Sequence, residues 1–209
     1  NEELRVLLEQ TLHEQLGDRP DLIRKVVPSY PPASKRMLVD NGIWCQTLKR
    51  ANVHLITERI REVTPSGIVT VDGTEHSADA IVYATGFQAS RFLTPMRVVG
   101  RNGIDLHAQW NGNARAYLGV TAPNFPNFFF MYGPNTNGGS IIDKLEIQAR
   151  YIVGKITFAT ENGIDELEVR ADAVAAYNER LQHEISKVNA WQSEGSRYYR
   201  APTGRVVTQ

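Results

Sequence analysis

One segment in the second half of the chain constrains the fold more than any other. Residues Phe128–Tyr132 (FFFMY) are apolar and strand-sized, and the turn that follows (GPNTNGG) is rich in glycine and asparagine. Ser140 and Asp143 then form an S-x-x-D capping box at the start of a helix with an apolar face. This order predicts an α/β layer in which a helix N-terminus offers backbone N–H groups to an anion or an electron-rich ring. A flexible connection that holds no ligand is the alternative interpretation.

A second apolar run indicates the same α/β fold class. Ala80–Ala84 (AIVYA) does not alternate between apolar and polar residues, as expected of a central parallel strand buried on both faces. It leads into a sharp turn at Ala84, Thr85 and Gly86. Three shorter runs separated by turn residues predict hairpins or a meander: Val53–Ile56, Ile60–Val63 and Gly67–Val71. Helices are predicted near both ends, from leucines at Leu4, Leu8, Leu12 and Leu16 and from the pattern of residues 171–188.

The composition excludes several classes of protein. With 23 basic and 23 acidic side chains, there is no electrostatic reason to expect nucleic acid or an anionic membrane as a partner. No run approaches the ~20 apolar residues that a membrane helix needs. A single cysteine, Cys45, excludes an internal disulfide and a Cys-x-x-Cys redox pair. The chain opens without a signal-peptide pattern, and we expect a cytoplasmic protein.

The candidate chemistry begins with two adjacent cations. Lys35 and Arg36 directly follow Ser34 and a loop with three prolines, and they are suited either to a phosphate or oxyanion or to simple solvation. Tyr198 and Tyr199 fit either an aromatic lid over a ligand or a surface strand. Metal-ligand spacing, a Gly-x-Ser-x-Gly nucleophile and the GxGxxG phosphate fingerprint do not occur in the sequence. We therefore expect no metal site.

Several stretches, read in order, resemble the C-terminal part of a type I Baeyer–Villiger monooxygenase. The sequence motifs are most similar to those of the hydroxyacetophenone monooxygenase group, and the similarity runs across nearly all of residues 28–209. The stretches that carry it are YPPASKRMLVDNGIW, NVHLI, EVTPSGIVTVDG, DAIVYATGF, YLGVTAPNFPNFFFMYGPNTNGGS and SRYYRAPTGRVV.

The resemblance implies the C-terminal halves of two Rossmann-like dinucleotide-binding domains. Residues 1–27 would end a helical insertion, residues 28–87 would be the second half of an NADP-binding domain, and residues 88–209 the second half of an FAD-binding domain. Neither glycine-rich fingerprint of the family is present, nor is its F-x-G-x-x-x-H-x-x-x-W/P signature. We therefore expect these residues to need a missing N-terminal portion and to be inactive alone.

The resemblance also implies the cofactors FAD and NADP(H) and roles for particular residues. Arg36 would face the flavin and stabilise negative charge during oxygen transfer to a ketone, and Lys35 would contact the NADP 2′-phosphate. The turn at Ala84, Thr85 and Gly86 would lie near both cofactors, and Tyr198 would contact the nicotinamide cofactor. The residues implied to lie under the flavin ring are Asn135, Asn137, Gly138, Gly139 and Ser140.

The implied reaction inserts one oxygen atom of O2 beside a ketone carbonyl to give an ester or a lactone, and the resemblance to the hydroxyacetophenone group suggests an aryl ketone. One alternative is a related flavin-dependent monooxygenase that oxygenates nitrogen or sulfur. Another is a non-catalytic fragment or binding module that keeps the fold without the flavin. A disulfide oxidoreductase of similar architecture is disfavoured because the chain has only one cysteine.

Overall fold

A computed structural model describes residues 2–37 and 39–208 of the 209-residue chain. The chain divides into two compact units, Asn1–Phe87 and Gln88–Gln209. None of the helices in the described part of the chain is both long enough and apolar enough to cross a membrane.

The first unit begins with three helices: α1 (Glu2–Leu16), α2 (Pro20–Val26) and α3 (Ile43–Leu48). The leucine spacing correctly predicts α1, whose last residue, Leu16, is fully buried. Leu16 packs in a small core with Leu22, Cys45 and Leu48. Acidic residues open α1, where they favour the positive end of the helix dipole.

A three-stranded antiparallel sheet follows, in the order β1 (Ile60–Thr64), β2 (Gly67–Thr70), β3 (Glu75–Ser77). The hairpins predicted at residues 60–71 are confirmed, since Thr64 pairs with Gly67 at the first turn and Val69 with Glu75 across the second. The strand predicted at Val53–Ile56 is wrong. The first hairpin forms through local pairing, whereas residues 53–56 have no strand beside them among the described residues.

The prediction of a central strand at Ala80–Ala84 is also wrong. These residues have no regular secondary structure, and the Val82 side chain is 89% exposed. A central parallel strand needs a hydrogen-bonded neighbour on each side. Within the part of the chain that the structure describes, the only sheet is the one formed by β1, β2 and β3.

The second unit combines helices with long loops. Its helices are α4 (Leu106–Trp110), α5 (Ile141–Glu161), α6 (Ala171–Ser186) and α7 (Asn189–Gln192), with 3₁₀ turns at Arg101–Gly103 and Glu194–Tyr199. Trp110 and Phe125 are buried together with Leu106 and Phe130. The predicted helices α5 and α6 are confirmed.

Phe128–Tyr132, expected to be a strand, forms no strand in the structure. Phe130 donates one backbone hydrogen bond to Val120 (2.9 Å) but lies in a loop, buried against the edge of the Trp110 ring. Phe130 is thus covered by packing against loops and α4 instead of by a sheet, whereas Met131 and Tyr132 are exposed. The helix cap that follows is confirmed, because the Asp143 N–H donates to Ser140 Oγ at 3.5 Å.

Candidate functional site

The loop Gly133–Ser140 precedes the longest helix and carries most of the predicted flavin-contacting residues. Asn135 adopts a left-handed conformation (φ 60°). Its backbone N–H donates to the Val207 carbonyl (2.7 Å), and its Nδ2 donates to the Val206 carbonyl (3.0 Å). Two residues near the end of the chain therefore fix the conformation of this loop.

The start of this loop is tightly packed. Thr136 is buried and donates from its hydroxyl to the Gly133 carbonyl (2.8 Å). A Cβ at Gly133 would lie 2.4 Å from the Gly119 carbonyl oxygen, so this close approach of two backbone segments requires glycine. The loop conformation is therefore set by packing as well as by hydrogen bonds.

The end of the loop is more open. Asn137 accepts a hydrogen bond from the Tyr132 hydroxyl, and Gly138 is half-buried beside it. Gly139 has φ 75° and no atom within 4 Å of where a Cβ would stand. Ser140 caps the 21-residue helix α5. A backbone with free space beside it, at the positive end of a long helix, can accept a flat electron-rich or anionic group.

Tyr198 lies in the 3₁₀ turn Glu194–Tyr199 and is 45% exposed. Its ring meets the Tyr199 ring edge-on at 5.2 Å, and Tyr199 in turn meets Trp191 at 5.0 Å. The Tyr199 carbonyl accepts from the Val207 N–H (2.9 Å). Because Val207 also accepts from Asn135, the structure brings the turn of Tyr198 and the Asn135 loop together through one shared residue.

Sequence reasoning missed two arginines that hold this region. Arg200 donates to the Gly204 carbonyl (2.7 Å), Ser196 Oγ (3.0 Å) and the Trp191 carbonyl. Arg205 donates to the Ala114 carbonyl (2.8 Å) and to Asn178 Oδ1 (2.5 Å). Their sequence signal, single arginines in a polar stretch, is indistinguishable from that of surface cations.

Burial of Arg205 has an electrostatic consequence. Removal from water, with a smaller contribution from nearby Arg115, lowers the pKa of the Arg205 guanidinium to about 10. The partners of Arg205 are a carbonyl and an amide, which satisfy its donors without cancelling its charge. Arg205 therefore joins α6 to the last residues of the chain at an electrostatic cost.

In the first unit, Lys35 and Arg36 line a cleft of about 460 Å³, with Leu8 and Leu12 of α1 and Trp44 of α3. Both cations are exposed, and Lys35 Nζ lies 4.8 Å from the centre of the Tyr30 ring. The cleft thus has an apolar wall, the carboxylates of Glu9 and Asp40, and two adjacent cations that are suited to the phosphate of a ligand with a ring.

The turn Ala84–Thr85–Gly86 is exposed throughout. Gly86 has φ 90° and open space where a Cβ would stand, so it accommodates a turn that a side chain would strain. These three residues belong to the first unit, whereas Asn135–Ser140 and Tyr198 belong to the second.

Two observations test whether these residues fit the implied cofactors. The Asn135 Oδ1 atom is buried and has no hydrogen-bond partner among the residues that the structure describes, and it lies in the loop before the N-terminus of α5. An acceptor there, with the N–H groups of the open loop, fits a flavin ring that has both donors and acceptors. Adjacent Lys35 and Arg36 fit a phosphate of NADP. The residues present are therefore compatible with both groups.

No protein-family model matches the chain. In sequence it is 40% identical over 204 residues to an uncharacterized monooxygenase of Sinorhizobium fredii, a match covering 95% of this chain and 30% of that protein. It is 37% identical over 201 residues to a Baeyer–Villiger monooxygenase of Pseudomonas aeruginosa, covering 94% of this chain and 38% of that protein. The chain thus spans 30–38% of the length of these curated relatives.

Solved structures agree with the sequence comparison. The chain superimposes over its whole length on 39% of OTEMO in complex with FAD and NADP, with a TM-score of 0.87 and 26% identity. The predicted fold class is confirmed, since the chain is mixed α/β and this FAD- and NADP-bound neighbour matches it over its whole length. In sequence and in fold, therefore, this chain is similar to part of the FAD-binding, NADP-dependent Baeyer–Villiger monooxygenases.

Proposed function

We propose that these residues form part of a monooxygenase that uses FAD and NADPH to insert one oxygen atom of O2 beside a ketone carbonyl, giving an ester or a lactone. The observation that carries the proposal is 37% identity to a Baeyer–Villiger monooxygenase over 94% of the chain. The site geometry is compatible with both cofactors. Because the chain spans only 38% of that relative, we propose that activity needs the remaining, N-terminal portion.

The domain assignment extends this proposal. Residues 1–27 would end a helical insertion, 28–87 would complete the NADP-binding domain, and 88–209 the FAD-binding domain. Two features support it: the chain divides into compact units between Phe87 and Gln88, and α2 ends at Val26.

Bound FAD would supply oxygen activation and NADPH the reducing equivalents. Arg36 would stabilise the negative charge that develops on oxygen as the ketone carbonyl is attacked, because a guanidinium keeps its charge and donates several hydrogen bonds in a fixed geometry. Lys35 would bind the 2′-phosphate of NADP as a mobile point charge. The turn at Ala84, Thr85 and Gly86 would approach both cofactors, which its exposure permits.

In the second unit, the open loop before α5 would hold the flavin ring. Asn135 would contribute its unpartnered Oδ1 as an acceptor, and the N-terminus of α5 would contribute its partial positive charge. Asn137, Gly138, Gly139 and Ser140 would contact the ring mainly through the backbone. Exposed Tyr198 would contact the nicotinamide.

The finer assignments rest on the sequence. The YPPASKRM and GPNTN motifs support a relationship to the hydroxyacetophenone monooxygenases and hence an aryl ketone as substrate.

An assay of the full-length enzyme tests the proposal. Purified protein should carry FAD, oxidise NADPH in the presence of an aryl ketone and O2, and yield an ester. Arg36→Ala should lower ester formation about 10²- to 10³-fold, as loss of an oxyanion-stabilising donor does, while NADPH still reduces the flavin at least in part.

Three results would contradict it. Oxidation of sulfides or amines without ketone oxidation would favour the N- or S-oxygenating alternative. Absence of bound FAD would favour a non-catalytic module. An unchanged ester yield in Arg36→Ala would remove the role assigned to this residue.

A further inference from the structure

The loop of residues 28–37 carries Lys35 and Arg36, and its backbone is unusually constrained. Pro28, Pro31 and Pro32 each fix a backbone torsion. Ser34 is completely buried, and both its N–H (3.2 Å) and its hydroxyl donate to the Pro31 carbonyl. The turn at residues 31–34 thus holds the position from which the two cations extend.

The Arg5 side chain joins this loop to α1. The Arg5 guanidinium donates to the carbonyls of Pro28 (3.3 Å) and Tyr30 (3.1 Å), across 23 and 25 residues of sequence. It also pairs with Glu9 one turn along the helix at 3.4 Å. The planar fork of arginine can bridge two carbonyls in a fixed arrangement, which a lysine ammonium reproduces poorly. Arg5 therefore fixes the first half of the loop relative to the helix.

The aromatic ring of Tyr30 holds the other half. Lys35 Nζ lies 4.8 Å from the ring centre, within the range of a cation–π contact. The contact limits the directions that the flexible lysine stem can take. Arg5 holds the backbone of Tyr30, and the Tyr30 ring holds the ammonium of Lys35, so a chain of contacts runs from α1 to this cation.

We propose that Arg5 and Tyr30 are positioning residues that orient Lys35 for the 2′-phosphate of NADPH, so that they set the preference for NADPH over NADH. The proposal rests on the proposed function for the identity of the ligand. The positioning itself depends only on contacts within the first unit. Tyr30 acts through Lys35, and Arg5 acts through Tyr30 and the loop backbone.

Substitutions of Tyr30 in the full-length enzyme separate the effect of the aromatic ring from the effect of side-chain size. Tyr30→Leu should raise the KM for NADPH about two- to fivefold, the equivalent of an exposed cation–π contact, and leave kcat and the KM for NADH unchanged. Tyr30→Phe should behave like the wild type because it keeps the ring. The matched control is Tyr151→Leu, which removes the similar contact with Lys155 (5.4 Å) in α5 and should alter neither KM.

Substitutions of Arg5 should act more strongly. Arg5→Ala should raise the KM for NADPH about tenfold, since two charge-assisted hydrogen bonds are lost, and Arg5→Lys should restore only part of it. Arg19→Ala is the control, because Arg19 pairs with Asp21 two residues away and is not bonded to the loop. The proposal would be overturned if a substitution of Arg5 or Tyr30 changed the KM for NADPH and the KM for NADH equally. A lower KM for NADPH in Tyr30→Leu would also overturn it.

A measurement without turnover separates this proposal from the proposed function. The rate at which an acylating reagent modifies Lys35, read by mass spectrometry, should rise in Tyr30→Leu and stay at the wild-type value in Tyr30→Phe. Faster labelling of Lys35 in Tyr30→Leu, in a protein that does not oxidise NADPH, would support the positioning role and contradict the proposed function. Unchanged labelling in Tyr30→Leu would overturn the positioning, whatever the enzyme does with NADPH.

Discussion

Two apolar segments of similar character differ in how far their central side chains are buried. In residues 80–87, Val82 and Phe87 are 89% and 87% exposed, whereas in residues 128–132 Phe130 is 6% exposed. Buried strands are predicted at residues 80–84 and 128–132, and neither range is a strand in the structure. The difference lies in the neighbours, because Phe130 packs against Trp110 and Phe128. An apolar run thus favours burial, but whether it is buried depends on contacts with other parts of the chain.

Truncation of one phenylalanine in each segment gives the largest expected difference. Phe130→Ala should lower the free energy of unfolding by about 3–5 kcal/mol, because it opens a cavity in a packed cluster. Phe87→Ala should stay within about 0.5 kcal/mol, as for an exposed residue. Denaturant unfolding of the 209-residue chain measures both.

The same pair in the full-length protein sharpens the comparison. A large loss of stability in Phe87→Ala there, and not in the 209-residue chain, would mean that the remaining polypeptide covers residues 80–87. Equal losses for Phe87→Ala and Phe130→Ala in the 209-residue chain would contradict the exposure described above.

Alanine substitutions of one glycine in or beside each segment should differ by a smaller amount in their effect on the free energy of unfolding. Gly133→Ala should cost up to about 3 kcal/mol, because the new Cβ would meet the Gly119 carbonyl and the Phe130 ring at 2.4 Å. Gly86→Ala should cost about 1 kcal/mol, since its positive φ strains an alanine although the space is open. Thermal unfolding ranks the two, and a Gly86→Ala variant that is the less stable of the pair would contradict this account.

Two carboxylates give the smallest contrast, seen in the pH dependence of stability. Bonds from Arg101 and from the Asn124 N–H hold the pKa of Glu168 below its ordinary value of 4.5, and they link residues 44 or more apart in the chain. The stability from these bonds is present above that ordinary value and is lost as pH falls through the lowered pKa. Glu168→Gln should therefore make the loss of stability in acid less steep.

Asp21 is the matched control. A hydrogen bond from Arg19, two residues away, lowers the pKa of Asp21 to about 2. Because the two residues are so close in sequence, the pair can persist in the unfolded chain. Asp21→Asn should therefore leave the loss of stability at low pH unchanged. Identical acid limbs for Glu168→Gln and the wild type would show that the Glu168 bonds are also not specific to the folded state.

Local patterns predicted the features that depend on a few neighbouring residues. The helix predicted from the leucine spacing of α1 and the Ser140 cap of α5 are both found in the structure. The first depends on helix periodicity and the second on residues only three positions apart. The adjacent Lys35 and Arg36 were recognised in the same way.

Features that depend on distant partners could not be predicted. The contacts of Arg5 with the proline loop, and of Arg205 with Asn178 and Ala114, join residues 23 to 91 apart. An arginine has the same local sequence signal whether it is solvated or bridges two carbonyls. The strands expected at residues 80–84 and 128–132 failed for a related reason, because strand formation needs a partner that periodicity does not specify.

The hydrogen bonds between Asn135 and residues Val206 and Val207 have a consequence for biosynthesis. They close a loop of 71 residues, so the Asn135 turn lacks its anchor until residue 207 has left the ribosome. Helix α5 and its cap can form much earlier from local bonds alone. In the newborn chain, the turn before α5 is therefore completed after the helix it precedes.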